Sequence, residues 1–324
     1  MSFDLKRILI GGFFFLLWVS PGAAEEHSRF KDPCNDPSPP LLQSHEPNTV
    51  GVTKDSNDVF YLDLKMSLKY PIFHKGIYCG RKAGRWGLPF FYAAGTVRFA
   101  QHSNTDRHSS PVIGKRYNPM FFGRYWIYGE DSTERVAYLD LGYAHESNGQ
   151  SVDDEAEFLA LQASNPDRPE IANDFISRGW DYINVDFKTY FPIGADTLFV
   201  YGDFKYFPNR SPPQGVNEEY SEWEGEGPDQ PKRRNVDGIT AIVKFTTEQT
   251  WLCGEFFRGC KLAAIYTTGY DEPFKYNTAR FEFTGKFGNL PVMVWTSGGY
   301  MNDLADYYKR VRSYGFALEL KTFG

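Results

Sequence analysis

The stretch VFYLDLKMSLKY, residues 59–70, decides the fold. Its even positions are Phe60, Leu62, Leu64, Met66, Leu68 and Tyr70, and its odd positions include Asp63, Lys65, Ser67 and Lys69. Alternation with period two is the mark of a strand with one apolar and one polar face. Similar stretches follow at about 86–101, 117–127, 134–147, 177–192, 196–207, 236–247, 260–270, 277–287, 291–301 and 311–323, and a weaker one precedes them at about 48–53. Together they make twelve strands, an even number, as bacterial barrels have. Most are long enough to cross a hydrocarbon layer at a tilt of ~45°. A soluble β-sandwich also alternates, but its strands have a mode of ~5–6 residues. Length therefore favours an all-β fold, a transmembrane antiparallel β-barrel of about twelve strands.

The rest of the chain agrees. Lys6 and Arg7 precede the apolar run Ile8 to Val19, and Ser20 to Ala24 are mostly small residues. This is the pattern of an export signal, with cleavage expected after Ala24. Residues 25–47 are then a periplasmic N-terminal segment and 48–324 the barrel. The mean hydropathy is -0.48, yet 17% of residues are aromatic. Aromatic rings gather at membrane interfaces and favour strands. The net charge of -6 comes with no basic stripe, so no nucleic-acid partner is expected.

With the N-terminus in the periplasm, the polar links 102–116, 148–176 and 208–235 lie outside the cell. The last of these is rich in Pro, Gly and charge from Asn209 to Asn235, as a loop would be. Links 71–85 and 248–259 lie inside. The four cysteines fit an oxidising compartment. Cys253 and Cys260 flank a short Gly-containing segment that could form a closed loop, which would leave Cys34 and Cys79 to pair. Both bridges would fall on the periplasmic side.

The chemistry sits on the strand that ends at Ser147. Ala137, Leu139, Leu141 and Tyr143 form its apolar stripe, and His145 and Ser147 continue it. On the next strand Asp181 shares the parity of Ile183, Val185 and Phe187. A carboxylate on a lipid-facing stripe is costly unless it is paired or at the interface. A relay follows, in which Asp181 orients His145 and His145 takes the proton of Ser147 during attack on an ester. Backbone N–H groups at Ser147-Asn148-Gly149 could hold the oxyanion. The alternative is an interfacial His and Ser on a barrel without catalysis, such as a pore or scaffold.

The string Tyr143-Ala144-His145-Glu146-Ser147-Asn148-Gly149-Gln150-Ser151 resembles the active-site segment of the bacterial outer-membrane phospholipase A family, which has His-x-Ser-Asn-Gly. Ser177-Arg178-Gly179-Trp180-Asp181 is similar to its second segment, Ser-Arg-x-Trp-Asn, and Ser109-Ser110-Pro111 with Tyr117-Asn118-Pro119 makes a third match. The resemblance spans roughly 59–323. It implies calcium-dependent hydrolysis of phospholipid acyl esters in the outer membrane by a homodimer. By the same resemblance Ser147 is nucleophile, His145 base and Asp181 the third member, and the backbone N–H groups named above put Gly149 at the oxyanion site. Ca2+ would be held by the Gln150 carbonyl, the Ser177 hydroxyl and Ser109 of a second subunit. This chain departs from the family in four ways. Asp181 replaces an Asn and Gln150 an Arg. About 25 residues separate Ser151 from Ser177 where the family has only a few. The chain ends Phe323-Gly324 rather than on the aromatic. The insert holds Asp153, Asp154, Glu155, Glu157 and Asp167. It reads either as a solvated acidic loop or as extra hard-oxygen ligands for calcium.

Overall fold

The computed structural model describes residues 42–56, 59–72, 89–103, 112, 114–128, 136–208, 230–257, 259–288 and 290–320. Cys34, Cys79 and Ser109 lie outside these residues. After a two-residue strand, β1 (Gln43–Ser44), come β2 (Asn48–Asp55), β3 (Phe60–Pro71), β4 (Phe90–His102), β5 (Gly114–Tyr128), β6 (Val136–Ser147), β7 (Gly179–Ile193), β8 (Asp196–Tyr206), β9 (Gly238–Thr247), β10 (Cys260–Gly269), β11 (Asn277–Phe287), β12 (Leu290–Gly299) and β13 (Val311–Leu320). From β2 onward each strand pairs antiparallel with the next, and β13 returns to β2. The sheet closes into a ring of twelve, which leaves no edge strand. Strand positions match the alternation in the sequence to within a few residues at most ends.

The period-two pattern sorts the side chains. Phe60, Leu62, Met66, Phe121, Leu141, Tyr143, Ile183, Phe187, Phe281 and Phe316 are exposed on the outer wall. Tyr61, Tyr92, Phe122, Tyr138 and Tyr182 are buried on the inner wall. Several inward charges are paired across the lumen side. Arg124 holds Asp140, its direct neighbour across the β5–β6 ladder, through two hydrogen bonds of 2.7 Å. Arg98 grips Asp63 in the same forked way, at 2.9 and 2.6 Å. The flat fork of an arginine matches a carboxylate.

Among the described residues, several links are more than turns. At one end of the barrel, β9 and β10 are joined through a short helix, Thr250–Cys253, and the Cys253–Cys260 disulfide closes this link as expected. The N-terminal segment is not wholly outside the barrel, because β1 pairs with β3, His45 stacks at 5.4 Å on the inward Phe122, and Glu46 pairs with Lys65. At the opposite end, the link after β8 does not stay a loop throughout. Its final part forms a helical turn, Arg233–Val236, that enters the mouth of the barrel. The link 300–310 folds into the same mouth, where Leu304, Tyr307 and Tyr308 pack on Trp180, Tyr182, Phe207 and Val236.

The acidic insert is also folded, which corrects the expectation of a solvated loop. It contains α1 (Glu155–Ser164) and a 3-10 segment, Pro169–Phe175. Asp154 caps α1 by accepting from the Glu157 N–H at 2.8 Å. Phe158, Ala172 and Ile176 bury with Val152 into a small core of their own. Among the described residues, no three His, Cys, Asp or Glu side chains converge to hold a metal.

Arg233 is almost wholly buried and bonds Glu146 and Asp237, while Lys205 reaches Asp237 at 3.2 Å. Burial alone would raise the Asp237 carboxyl, but Lys205 and Arg233 reverse this and hold it below the ordinary carboxylate range. Removing one member of such a network leaves an uncompensated charge. Arg233→Met is expected to cost roughly 3–5 kcal/mol. The cost should appear as a lower urea midpoint, followed by the gel shift between folded and heat-unfolded barrel. An unchanged midpoint would mean that the network adds no net stability.

Candidate functional site

β6 and β7 carry the site. Their ladder sets His145 directly opposite Asp181 and Ser147 opposite Gly179. The parity that exposes Leu141 and Tyr143 turns His145, Ser147 and Asp181 outward too. His145 Nδ1 lies 3.0 Å from Asp181 Oδ1. An ionised carboxylate only accepts, so Nδ1 is the donor of this bond, and in a neutral imidazole that leaves the lone pair on Nε2. The imidazole remains 44% exposed and the carboxylate 14%, so the acid is tucked behind the base.

Ser147 lies one pleat beyond His145 on the same face. Gly179 is the floor between them: a Cβ there would meet His145 Cε1 at 3.3 Å, Ser147 Cβ at 3.5 Å and His145 Nε2 at 3.6 Å. Glycine keeps that space clear. Among the described residues, no hydrogen bond joins Ser147 to the imidazole. Contacts of this kind often tighten only when substrate is bound. The structure thus joins His145 to Asp181 and sets Ser147 beside them.

Gly149 follows at the rim. Its φ of +57° is left-handed, and a Cβ would approach Tyr117 Cε2 to 2.9 Å. Both constraints favour glycine. Gln150 and Ser177 come from two loop segments that are zipped together. Val152 N–H donates to Phe175 O at 3.0 Å and Ser177 N–H to Val152 O at 2.7 Å.

Sequence reasoning used only the backbone of Asn148 and passed over its side chain. It is fully buried. Its Nδ2 donates to Ile176 O at 2.8 Å, and its Oδ1 accepts from Arg178 N at 2.9 Å and Gln150 N at 3.3 Å. One side chain therefore ties the loop after Ser147 to the loop before Asp181. An Asn just past a strand end is the available signal, but it reads equally as a turn residue. Arg178 is a second anchor, donating to Ala305 O at 3.1 Å beneath Tyr307 and Tyr308. Behind the site, Glu146 points inward to Arg233 and Arg116. The site's strand is thus held from both faces.

The donor set at Gln150 and Ser177 is a carbonyl and a hydroxyl. These are hard oxygens of the kind calcium takes, though neutral ones. Asp153 follows in the chain, while Asp154 is engaged in capping α1.

Asn148→Ala should loosen this clamp. Backbone amides of 148–152 and 175–178 would then exchange with deuterium faster, with the β3–β4 amides unchanged. Equal exchange in both proteins would show that the backbone pairing alone holds the two loops.

No family model matches the chain, and no curated protein matches it. Solved structures do. An active-site mutant of outer membrane phospholipase A from Escherichia coli aligns with a TM-score of 0.58 at 16% identity, over 89% of this chain and 95% of that one. The Salmonella typhi outer membrane phospholipase, a dimer with bound calcium, gives 0.57 at 16% identity, over 90% and 96%. A further Escherichia coli structure gives 0.55 at 16% identity, over 87% and 99%. At this identity the likeness concerns the backbone path. In fold, then, this chain is a closed twelve-stranded β-barrel similar to outer membrane phospholipase A.

Proposed function

We propose that this protein is an outer-membrane serine phospholipase A. The observation that carries the reading is the His145–Asp181 pair on the lipid-facing wall, with Ser147 on the same stripe. Barrel stability gives no reason to place an imidazole and a carboxylate there. A membrane lipid reaches this face by lateral diffusion.

In the reaction, Ser147 Oγ attacks the acyl carbonyl of the lipid as His145 Nε2 takes its proton. Asp181 stabilises the imidazolium through Nδ1. The oxyanion forms beside Gly149, whose glycine backbone permits close approach. The lysolipid alkoxide leaves with the proton returned by His145. Water, deprotonated by the same base, then frees the fatty acid and restores Ser147.

The resemblance and the calcium of the Salmonella structure support a metal role. Gln150 O and Ser177 Oγ would hold Ca2+, with Ser109 of a second subunit completing the set. Bound there, the ion would polarise the ester carbonyl. The homodimer belongs to the same reading.

The other reading is a pore or scaffold. It meets a lumen side lined by paired charges, Arg98–Asp63 and Arg124–Asp140 among them.

Purified protein in detergent micelles tests the enzyme reading. Ser147→Ala should lower hydrolysis of phosphatidylcholine by about 10⁴-fold or more, and Asp181→Ala by on the order of 10²–10⁴-fold. Equal rates for wild type and Ser147→Ala would remove the proposal. A calcium chelator should abolish activity and dissociate a cross-linkable dimer, and calcium should restore both. Activity indifferent to chelation would leave the serine chemistry and reject the metal.

A further inference from the structure

The outer wall beside Ser147 is polar at one end and apolar at the other. This order is laid down by two registered strands. On β5 the outward residues run Lys115, Tyr117, Pro119, Phe121. On β6 and its rim they run Gly149, Ser147, His145, Tyr143. Tyr117 pairs with Ser147 and Phe121 with Tyr143. The same register carried two residues outward sets Lys115 beside Gly149, and Lys115 Nζ reaches Gly149 O at 3.4 Å. That bond is long and solvent-exposed, so the ammonium has donors to spare for another acceptor. Phe99, next on the wall, stands edge-on to Tyr117 at 5.9 Å.

We infer that Lys115 binds the phosphodiester of the lipid whose ester faces Ser147. This rests on the phospholipase reading and adds the contact that would favour phosphoglycerides over neutral glycerides. Two residues of strand span about 7 Å, a distance that the glycerol unit between ester and phosphate can cover. With the ester at Ser147, the acyl chain descends along Tyr143, Phe121 and Leu141, all exposed on the outer wall. The phosphate then rises to the level of Lys115. The opposite orientation would put a phosphate against Phe121 and Leu141, so the stripe also sets which way the lipid lies.

The test compares phosphatidylcholine with diacylglycerol of the same acyl chains in mixed micelles, using wild type, Lys115→Ala and Lys115→Arg. Lys115→Ala should lower the ratio of kcat/KM values, phosphatidylcholine over diacylglycerol, by about tenfold, the equivalent of ~1.4 kcal/mol. The loss should lie mainly in KM, and Lys115→Arg should restore the ratio. An equal loss on both substrates would reduce Lys115 to a prop for Gly149 and overturn the inference. An unchanged ratio would overturn it as well. Binding of non-hydrolysable diether lipids, with and without phosphocholine, to the Ser147→Ala protein reads the same contact without turnover. Lys115→Ala in that background should weaken only the phosphocholine form, by a similar factor; equal weakening of both forms, or of neither, would overturn the inference. Should wild type hydrolyse neither substrate, the enzyme reading fails by itself, and the diether measurement still decides whether Lys115 binds phosphate.

Discussion

An imidazole on a greasy wall needs a partner, and the β6–β7 ladder supplies one. Antiparallel pairing brings the Cβ atoms of facing residues to ~4.5–5.5 Å. His145 and Asp181 are such a pair. Their hydrogen bond selects the tautomer and aims Nε2 along the stripe. Any slip of one residue between these strands would send Asp181 into the lumen and leave the imidazole alone. The ladder is therefore the constraint on which the site rests.

What fixes the ladder lies on the far side of the wall. Glu146, between His145 and Ser147, is tied through Arg233 to Asp237 and Lys205. Those residues come from the helical turn before β9 and from β8. The turn packs with Tyr307 and Tyr308 in the barrel mouth. Asn148 and Arg178 close the outer rim over the same cluster. The lumen is thus built as support, with paired charges beside the apolar cluster of the mouth.

The folded insert gives this barrel a feature of its own. Its small core sits between the two loop segments that carry Gln150 and Ser177. Asp153, Asp154, Glu155 and Glu157 follow Gln150 in the chain and stay exposed. Acidic composition reads as a loop, but a capped helix and a 3-10 segment bring Phe158, Ala172 and Ile176 together with Val152 in a buried cluster.

Alternation alone was enough to place twelve strands, to say which residues face lipid, and to set His145, Ser147 and Asp181 on one stripe. The reason is that strand side chains alternate without exception wherever the ladder is regular. The Cys253–Cys260 bridge was legible too, since a short link brings its ends together. Alternation by itself does not fix register, since a link of more than thirty residues separates His145 from Asp181; the pairing was legible from the carboxylate on a lipid-facing stripe and from the resemblance, and the ladder sets the two side by side. The Asn148 side chain, Arg233 and the plugged mouth were not legible, because their partners lie up to 127 positions away in sequence. A period is a local property of the chain, but a hydrogen bond between distant segments exists only once the ring has closed.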